Sequence, residues 1–424
     1  METMLNNRIV KKYPAYKDSG VEWLEEIPAH WTTKRIKHLF AEINERSFDG
    51  SEDLLSVSQY TGVTNKTERL EDGGMLTNAA TLEGYKKVWV GDLVSNIMLA
   101  WNGSLGFSPY TGITSPAYSI YRLKTNDVNK YFHYLLRTEL YKSEFKRNSS
   151  GVIESRLRLY TDDFFKIESI LPPPPEQTAI ADFLDRKTAL IDQAIDIKQK
   201  QIELLKERRQ ILIHKAVTRG LNPNVKMKDS GVEWIGEIPV FWVVKRFKFL
   251  CDITTGSKNT EDKVENGLYP FYVRSQTPER INSFAFEGEA ILTAGDGAGV
   301  GKVFHYLNEK FDFHQRVYKF SNFRDLKGKL LFYFLQNNFH NVALNGEAKS
   351  TVDSLRLPLI QNFPVPIPSD YEQIQIIGHI ENVTSKISTA ISLKEQEIEK
   401  LKEYKATLIN SAVTGKIKVY NDAK

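Results

Sequence analysis

Residues 17–31 of this chain read KDSGVEWLEEIPAHW, and residues 228–242 read KDSGVEWIGEIPVFW. Eleven of these fifteen positions are identical at an offset of 211, where chance gives about one. The match continues, with Lys34, Arg35 and Lys37 aligned to Lys245, Arg246 and Lys248. A second repeat aligns 176–218 with 372–414 at an offset of 196. It pairs Glu176-Gln177 with Glu372-Gln373, Leu205-Lys206-Glu207 with Leu401-Lys402-Glu403, and Ala216-Val217-Thr218 with Ala412-Val413-Thr414. Between the matched ends, 32–171 and 243–367 share little beyond short echoes such as Leu157-Arg158-Leu159 with Leu355-Arg356-Leu357. The chain is therefore a variable block and a repeated block, twice over. A period near 200 residues is a duplicated two-part unit, not a solenoid.

The repeated blocks read as long helices. Each follows a proline cluster, Pro172 to Pro175 and then Pro364, Pro366 and Pro368. Proline there stops the preceding strand and stiffens the start of a helix. No Pro or Gly interrupts 176–217. Steps of four and three select Leu184, Thr188, Ile191, Ile195, Lys198, Ile202, Leu205, Arg209, Leu212 and Ala216. The partner block gives Ile380, Thr384, Ile387, Ile391, Lys394, Ile398, Leu401, Lys405, Leu408 and Ala412. This is a heptad seam. It predicts helix ends near Gly220 and Gly415. About 40 residues at 1.5 Å each make a rod of ~60 Å. Such a rod needs a partner for its stripe, and the two copies suit each other. Basic residues interrupt both seams at matching places, Lys198 with Lys394 and Arg209 with Lys405. Their long stems can snorkel off the seam; the alternative is that they set register or bind a carboxylate opposite. Packed antiparallel, the rods bring the chain's ends together and restore the AVT–KDSGVEW junction, which predicts a pseudo-twofold axis with the variable modules at opposite ends.

The variable blocks read as mixed α/β modules of roughly 125–140 residues. Residues 54–63 and 84–101 are rich in β-branched and aromatic residues, and 129–147 has helical spacing. In the second block, 269–273, 290–294, 302–306 and 316–320 read as strands and 328–342 as a helix.

Catalytic signatures are not found. The glycine-rich GDGAGVGK at 295–302 lacks the Walker spacing, because Asp296 and Val303 stand where Gly and Ser or Thr are needed. It reads as a mobile or tightly turned loop. No Asn-Pro-Pro-Tyr or Asp-Pro-Pro-Tyr motif of an amino-methyltransferase occurs. A nuclease-like set can only be forced from Asp127, Glu144 and Lys146. One cysteine, Cys251, and eight histidines without an HxxxH pair disfavour a metal site. The same cysteine count fits a reducing, cytoplasmic compartment, with Cys251 in the core. The longest mostly apolar run, Leu93 to Trp101, is far short of the roughly 20 residues of a membrane helix.

Binding is better supported. Loops of both blocks mix aromatic side chains with Ser, Asn, Gln, Lys and Arg, which suit base edges and phosphates. The candidates are Lys34, Arg35, Ser58, Gln59, Tyr60, Asn96, Trp101 and Asn102, then Lys245, Arg246, Arg274, Ser275, Gln276, Lys302, Gln315 and Arg316. Residues 31–170 carry 18 basic and 17 acidic residues, and 242–366 carry 16 and 13. A nucleic-acid face then requires charge segregation within each block.

The order of parts resembles the specificity subunit of Type I restriction-modification systems. The resemblance rests on LPPPPEQTAIADFLD, PIPSDYEQIQIIGHI, KDSGVEWLEEIPAHW, LLSVSQYTGV, VGDLVSNIMLAWNGSLGFSPYTGITSPAYSIYRL and EAILTAGDGAGVGKVFH. It implies an α/β fold of two globular target recognition domains separated by two long helices in an antiparallel coiled coil. The segments are 1–30 (N-terminal repeat), 31–171 (recognition domain 1), 172–221 (helical spacer 1), 222–241 (repeat), 242–367 (recognition domain 2) and 368–424 (helical spacer 2). Each domain would read half of a bipartite site on double-stranded DNA, and the helices would set the unread spacer. The resemblance implies no catalytic centre and no cofactor here. Two modification subunits would carry S-adenosylmethionine and methylate adenine; restriction subunits would carry ATP, Mg and the nuclease. The other readings are a self-sufficient methyltransferase or endonuclease, disfavoured by the missing motifs, and a coiled-coil interaction protein without DNA.

Overall fold

The structure, a computed structural model, describes residues 11–66, 81–339 and 355–419. It divides into two compact units, Met1–Ile197 with Glu397–Lys424, and Lys198–Gln396. The division passes through both long helices, Pro174–Arg219 and Asp370–Val413. Each half-helix packs on the module of its own unit.

The helices start and stop for local reasons. The first begins on Pro174, whose fixed φ suits a first turn. The second begins after Ser369: the Glu372 N–H donates to Ser369 Oγ at 3.4 Å, and the Ser369 N–H donates to Glu372 Oε2 at 3.2 Å. That reciprocal pair is a capping box. Gly220 and Gly415 follow the last turns with φ of 71° and 77°, the left-handed conformation that glycine adopts without strain. Every seam position, including Ile191, Ile195, Ile202, Leu205, Leu212, Ile387, Ile391, Ile398, Leu401 and Leu408, is buried or half-buried. Towards the end of the first helix, burial shifts from Leu212 to Ile213, as 3.6-residue turns drift from a 3.5-residue repeat.

The half-helices are antiparallel within each unit. In the first, Leu184 and Ile191 share a core with Leu408, Ala412 and Val413. In the second, Ile213 and Ala216 share one with Ile376 and Ile380. Lys405 does not merely snorkel: its Nζ donates to both Asp192 oxygens, at 2.7 and 2.6 Å. Lys394 Nζ donates to Gln201 Oε1 at 2.7 Å. An exposed pair is worth under about 1 kcal/mol, against about 1.5–3 kcal/mol for each buried Leu or Ile. Apolar burial holds the helices together, and the polar contacts select register.

The repeated Glu-Gln pairs couple helix to module. Glu176 Oε2 accepts the Trp31 indole N–H at 3.0 Å, and Glu372 accepts that of Trp242 at 3.3 Å. Gln177 bonds the Val128 N–H and the Pro172 carbonyl at 2.8 and 2.9 Å. Gln373 does the same with Lys327 and Pro368 at 2.8 and 3.1 Å. Trp31 also packs at Gly415, where an added Cβ would come within 3.0 Å of its ring, and Trp242 packs at Gly220. Tyr16 Oη donates to the Gly415 carbonyl at 3.0 Å, and the Lys418 N–H to that of Lys11 at 2.7 Å. The junction predicted from the repeat thus forms in both units.

Each module closes on an antiparallel strand pair, Thr32–Arg35 with Glu168–Leu171 and Val243–Arg246 with Pro364–Ile367. Pro364 and Pro366 therefore lie inside a strand rather than ending one. A two-stranded edge pair tolerates them because alternate N–H groups point away from the partner. The first module has a four-stranded antiparallel sheet in the order Phe40–Ile43, Tyr118–Leu123, Leu93–Asn96, Leu105–Phe107. The second has six strands in the order Asp252–Thr255, Val317–Ser321, Phe286–Ala294, Phe304–Phe313, Tyr269–Tyr272, Glu279–Ile281. The helical stretch at 129–147 is two helices, Asn129–Leu135 and Glu139–Arg147, with Thr138 capping the second. The helix expected at 328–342 is Gly328–Asn338; its last three positions fall outside the described residues. Cys251 is buried, which pushes its thiol up to about 12. Among the described residues no helix is long and apolar enough to cross a membrane.

Candidate nucleic-acid interface

Both modules build a turn on the same frame. In the first, Leu93–Asn96 leads into a turn containing Ala100–Asn102 and returns as Leu105–Phe107. In the second, Phe286–Ala294 leads through Gly297–Gly299 and returns as Phe304–Phe313. The segment that ends each module docks identically: the Leu159 N–H donates to the Ile97 carbonyl at 2.9 Å, and that of Leu355 to Gly295 at 2.8 Å. This makes Met98 the counterpart of Asp296. A hairpin sits beside each turn through a parallel contact, Leu54 with Ile113 in Gly112–Thr114, just after the return strand, and Phe271 with Asp312 in the return strand itself. Its tip carries Gln59 and Tyr60 in one module, and Arg274, Ser275 and Gln276 in the other.

In the first module Tyr60 is 83% exposed at the hairpin tip, and the Ser58 hydroxyl accepts its N–H at 3.0 Å. Arg137 fastens the tip from below, with Nη2 donating to the Gln59 and Tyr60 carbonyls at 2.6 and 3.0 Å. Trp101 Nε1 donates to the Met98 carbonyl at 3.0 Å, while Lys146 lies 5.6 Å from its ring centre. Asn102 Oδ1 accepts from Ser104 Oγ at 2.9 Å. Lys142 covers Gly103, where an added Cβ would sit 2.6 Å from its Cε. Asn96 is turned inward: it is 5% exposed, and its Oδ1 accepts the Met98 N–H at 3.2 Å. It shapes the turn and offers no edge to a base. Lys34 and Arg35 lie on the closing strand pair instead of the turn, with Arg35 Nε on Glu168 at 3.2 Å.

In the second module the turn and the hairpin tip meet. Asp296, 9% exposed, accepts from Arg274 Nη1 at 2.8 Å and from Arg316 Nη1 at 2.5 Å. Burial alone would raise its pKa; the two guanidiniums outweigh that and hold it below the carboxylate range. The buried His314 ring accepts the Arg316 N–H through Nδ1 at 3.0 Å, and burial with the two Arg charges lowers its pKa. Glycine is required by contact: a Cβ on Gly299 would lie 2.6 Å from the Arg274 carbonyl, and one on Gly295 2.8 Å from that of Arg316. The 295–302 segment is thus the tight turn of the sequence reading. Gln276 and Lys302 are exposed, Ser275 Oγ donates to the Thr277 carbonyl at 2.6 Å, and Gln315 bonds Asn259. Lys245 and Arg246 lie apart on the closing pair, on Asp325 at 2.7 Å and Asn362 at 3.4 Å.

The Type I restriction modification DNA specificity domain matches this chain twice, over residues 28–207 and 239–403. The chain belongs to the Type I restriction modification DNA specificity family. Among relatives, the Type I restriction enzyme MjaVIII specificity subunit of Methanocaldococcus jannaschii is 26% identical over 440 aligned residues, covering 96% of this chain and 98% of that one. The EcoDI specificity subunit of Escherichia coli is 27% identical over 182 residues, covering 43% of this chain and only 40% of the relative. A chain solved in work on complex assembly and conformational transition of the type I R-M system superposes with a TM-score of 0.69 at 15% identity, covering 91% of this chain and 98% of that one. The HsdS subunit from Thermoanaerobacter tengcongensis gives 0.55 at 14%, covering 92% and 98%. At those identities the likeness is one of fold.

In this specificity chain Asp127, Glu144 and Lys146 are held separately, by Gln177, Arg147 and Glu154, so they form no nuclease-like cluster. Sequence reading missed Arg137, Lys142 and Lys146, which look like ordinary helix surface. Their contacts, to Gln59 and Tyr60, to Gly103 and to Trp101, are remote in sequence, so no local pattern marks them.

His133 lies beside Arg137, and burial reinforced by that charge lowers its imidazole from 6.5 to about 4. The unfolded chain therefore takes up a proton that folded His133 refuses. Its contribution to stability is full above pH 6.5 and is lost as pH falls towards 4. Thermal melts of the full chain at pH 7 and 5 should show a smaller acid-induced drop for His133→Gln than for the parent. An equal drop would exclude this residue as the cause.

Proposed function

We propose that this chain is the DNA-reading subunit of a Type I restriction-modification assembly, with residues 31–171 and 242–367 each reading one half of a bipartite site. One observation carries the reading: a duplicated specificity domain presents different side chains from the same turn and hairpin. Two modules that share a turn and a hairpin but arm them with different side chains suit two different base sequences. Linking two weak readers raises affinity through effective concentration, so neither module needs a strongly basic surface.

In this reading the long helices set the length of unread DNA and dock two modification subunits. Support for docking comes from the first helix, where Leu190 and Ile197 in one unit, and Leu204 and Ile211 in the other, are exposed at seven-residue spacing. That is a second apolar stripe beside the buried seam. The chain itself is non-catalytic and cytoplasmic. S-adenosylmethionine belongs to the modification subunits, and ATP with Mg to the restriction subunits.

The purified chain should neither methylate DNA with S-adenosylmethionine nor cut it with ATP and Mg. Adding modification subunits should restore adenine methylation. Robust methylation or cutting by the chain alone would overturn the proposal. DNA binding by the assembly should weaken steeply with salt, as phosphate contacts require.

A further inference from the structure

The Asp296 cluster goes further than a general basic surface. Arg274 comes from the hairpin tip, Arg316 from the turn before Val317–Ser321, and Asp296 from the glycine turn between them. Each guanidinium spends one Nη1 on a separate Asp296 oxygen. Among the described residues no side chain or carbonyl takes their Nε or Nη2 hydrogens. Both arginine side chains remain exposed, at 44% and 59%. Each guanidinium is thus tethered through one amino group and keeps its remaining donors on a solvent-exposed side chain.

That arrangement suits base reading better than phosphate contact. A phosphate contact gains most from full, unshared positive charge. Here a nearly buried carboxylate cancels part of the charge and tethers both guanidiniums. Orientation gained at the cost of charge is what bidentate hydrogen bonding to guanine O6 and N7 needs. Asp296 has both oxygens occupied, so it is a positioning residue and not itself a reader. The first module has Met98 at the equivalent place and no such pair.

We propose that Arg274 and Arg316, oriented by Asp296, are a paired guanine reader, and that they specify two G·C pairs in the half-site of residues 242–367. The inference rests on the bipartite reading above. The test uses the chain assembled with its modification subunits and a panel of duplexes carrying single base-pair changes across the whole motif. Arg274→Ala should relax one G·C position and Arg316→Ala another, each by roughly ten- to a hundred-fold in discrimination. The lysine variants at both sites should relax the same positions, because an ammonium keeps the charge without the fork. Asp296→Asn should relax both positions while leaving binding to unrelated DNA as strong or stronger.

Unchanged recognition of the other half reports that each variant is folded. A uniform loss across all duplexes, with base preference intact, would show phosphate contacts and overturn the proposal. Relaxation confined to A·T positions would overturn it equally. Failure of the parent assembly to show any bipartite preference would instead defeat the underlying functional reading.

Discussion

Exchanging residues 243–367 for the same block of another family member should rewrite one half of the methylated DNA motif and leave the other half intact. The structure gives the reason. Val243 and Ile367 are direct partners across an antiparallel pair, as are Thr32 and Leu171 in the other module. Each variable block therefore leaves and rejoins the repeated frame at one point. The bonds that seat it, from Trp242 to Glu372 and from Gln373 to a module backbone N–H, use repeated residues. A foreign block meets the same sockets. Each mismatched base pair costs about 1–3 kcal/mol, so replacing several contacts should shift preference by orders of magnitude. Sequencing of methylated adenine in cells expressing the hybrid would read the outcome. A change in both halves would break the modular assignment.

Inserting one heptad into both long helices should lengthen the unread spacer without altering either half. Suitable places are between Ile195 and Ile202 and between Ile391 and Ile398, around the basic seam positions Lys198 and Lys394, because a seven-residue insert keeps the heptad phase on either side. Seven residues add about 10.5 Å at 1.5 Å each, at most about three base pairs at 3.4 Å. The insertion must be made in both. In one helix alone it displaces register contacts such as Lys405 with Asp192 and Lys394 with Gln201. It also leaves apolar seam residues without partners, each costing up to about 3 kcal/mol. The single insertion should thus lower the melting temperature and abolish methylation. An unchanged spacer in the double insertion would reject the ruler.

The helical framework was legible because its signals are local and periodic. A seam repeating at 3.5 residues, glycines after the last turns, and the duplicated Glu-Gln and Trp positions each map onto observed contacts. The repeated stretches on either side of each variable block were legible for the same reason, and the strand pairs Thr32–Arg35 with Glu168–Leu171 and Val243–Arg246 with Pro364–Ile367 lie close to where identity decays. The interface was only partly legible. Composition identified Tyr60, Arg274 and Arg316 as polar or aromatic loop residues, and the structure places them at the hairpin tips and the turn. Composition could not tell which way a side chain points, so Asn96, which caps its own turn, looked like a base reader. Lys34, Arg35, Lys245 and Arg246 looked equivalent to the loop residues because sequence does not reveal their place on the closing strands. The Arg274–Asp296–Arg316 cluster joins three segments 20 or more residues apart in pairing, and no local pattern announces it. Prolines within Pro364–Ile367 were misread as strand stops because their tolerance depends on an edge pairing made 120 residues away.

The most direct test is single-molecule sequencing of methylated adenine in cells that carry this chain, with and without its gene. Two reading modules on long helices predict one asymmetric motif. It should have two different specified halves, separated by an unread gap of fixed length, and be lost entirely on deletion. A contiguous motif, a gap of variable length, or methylation that persists after deletion would contradict the account.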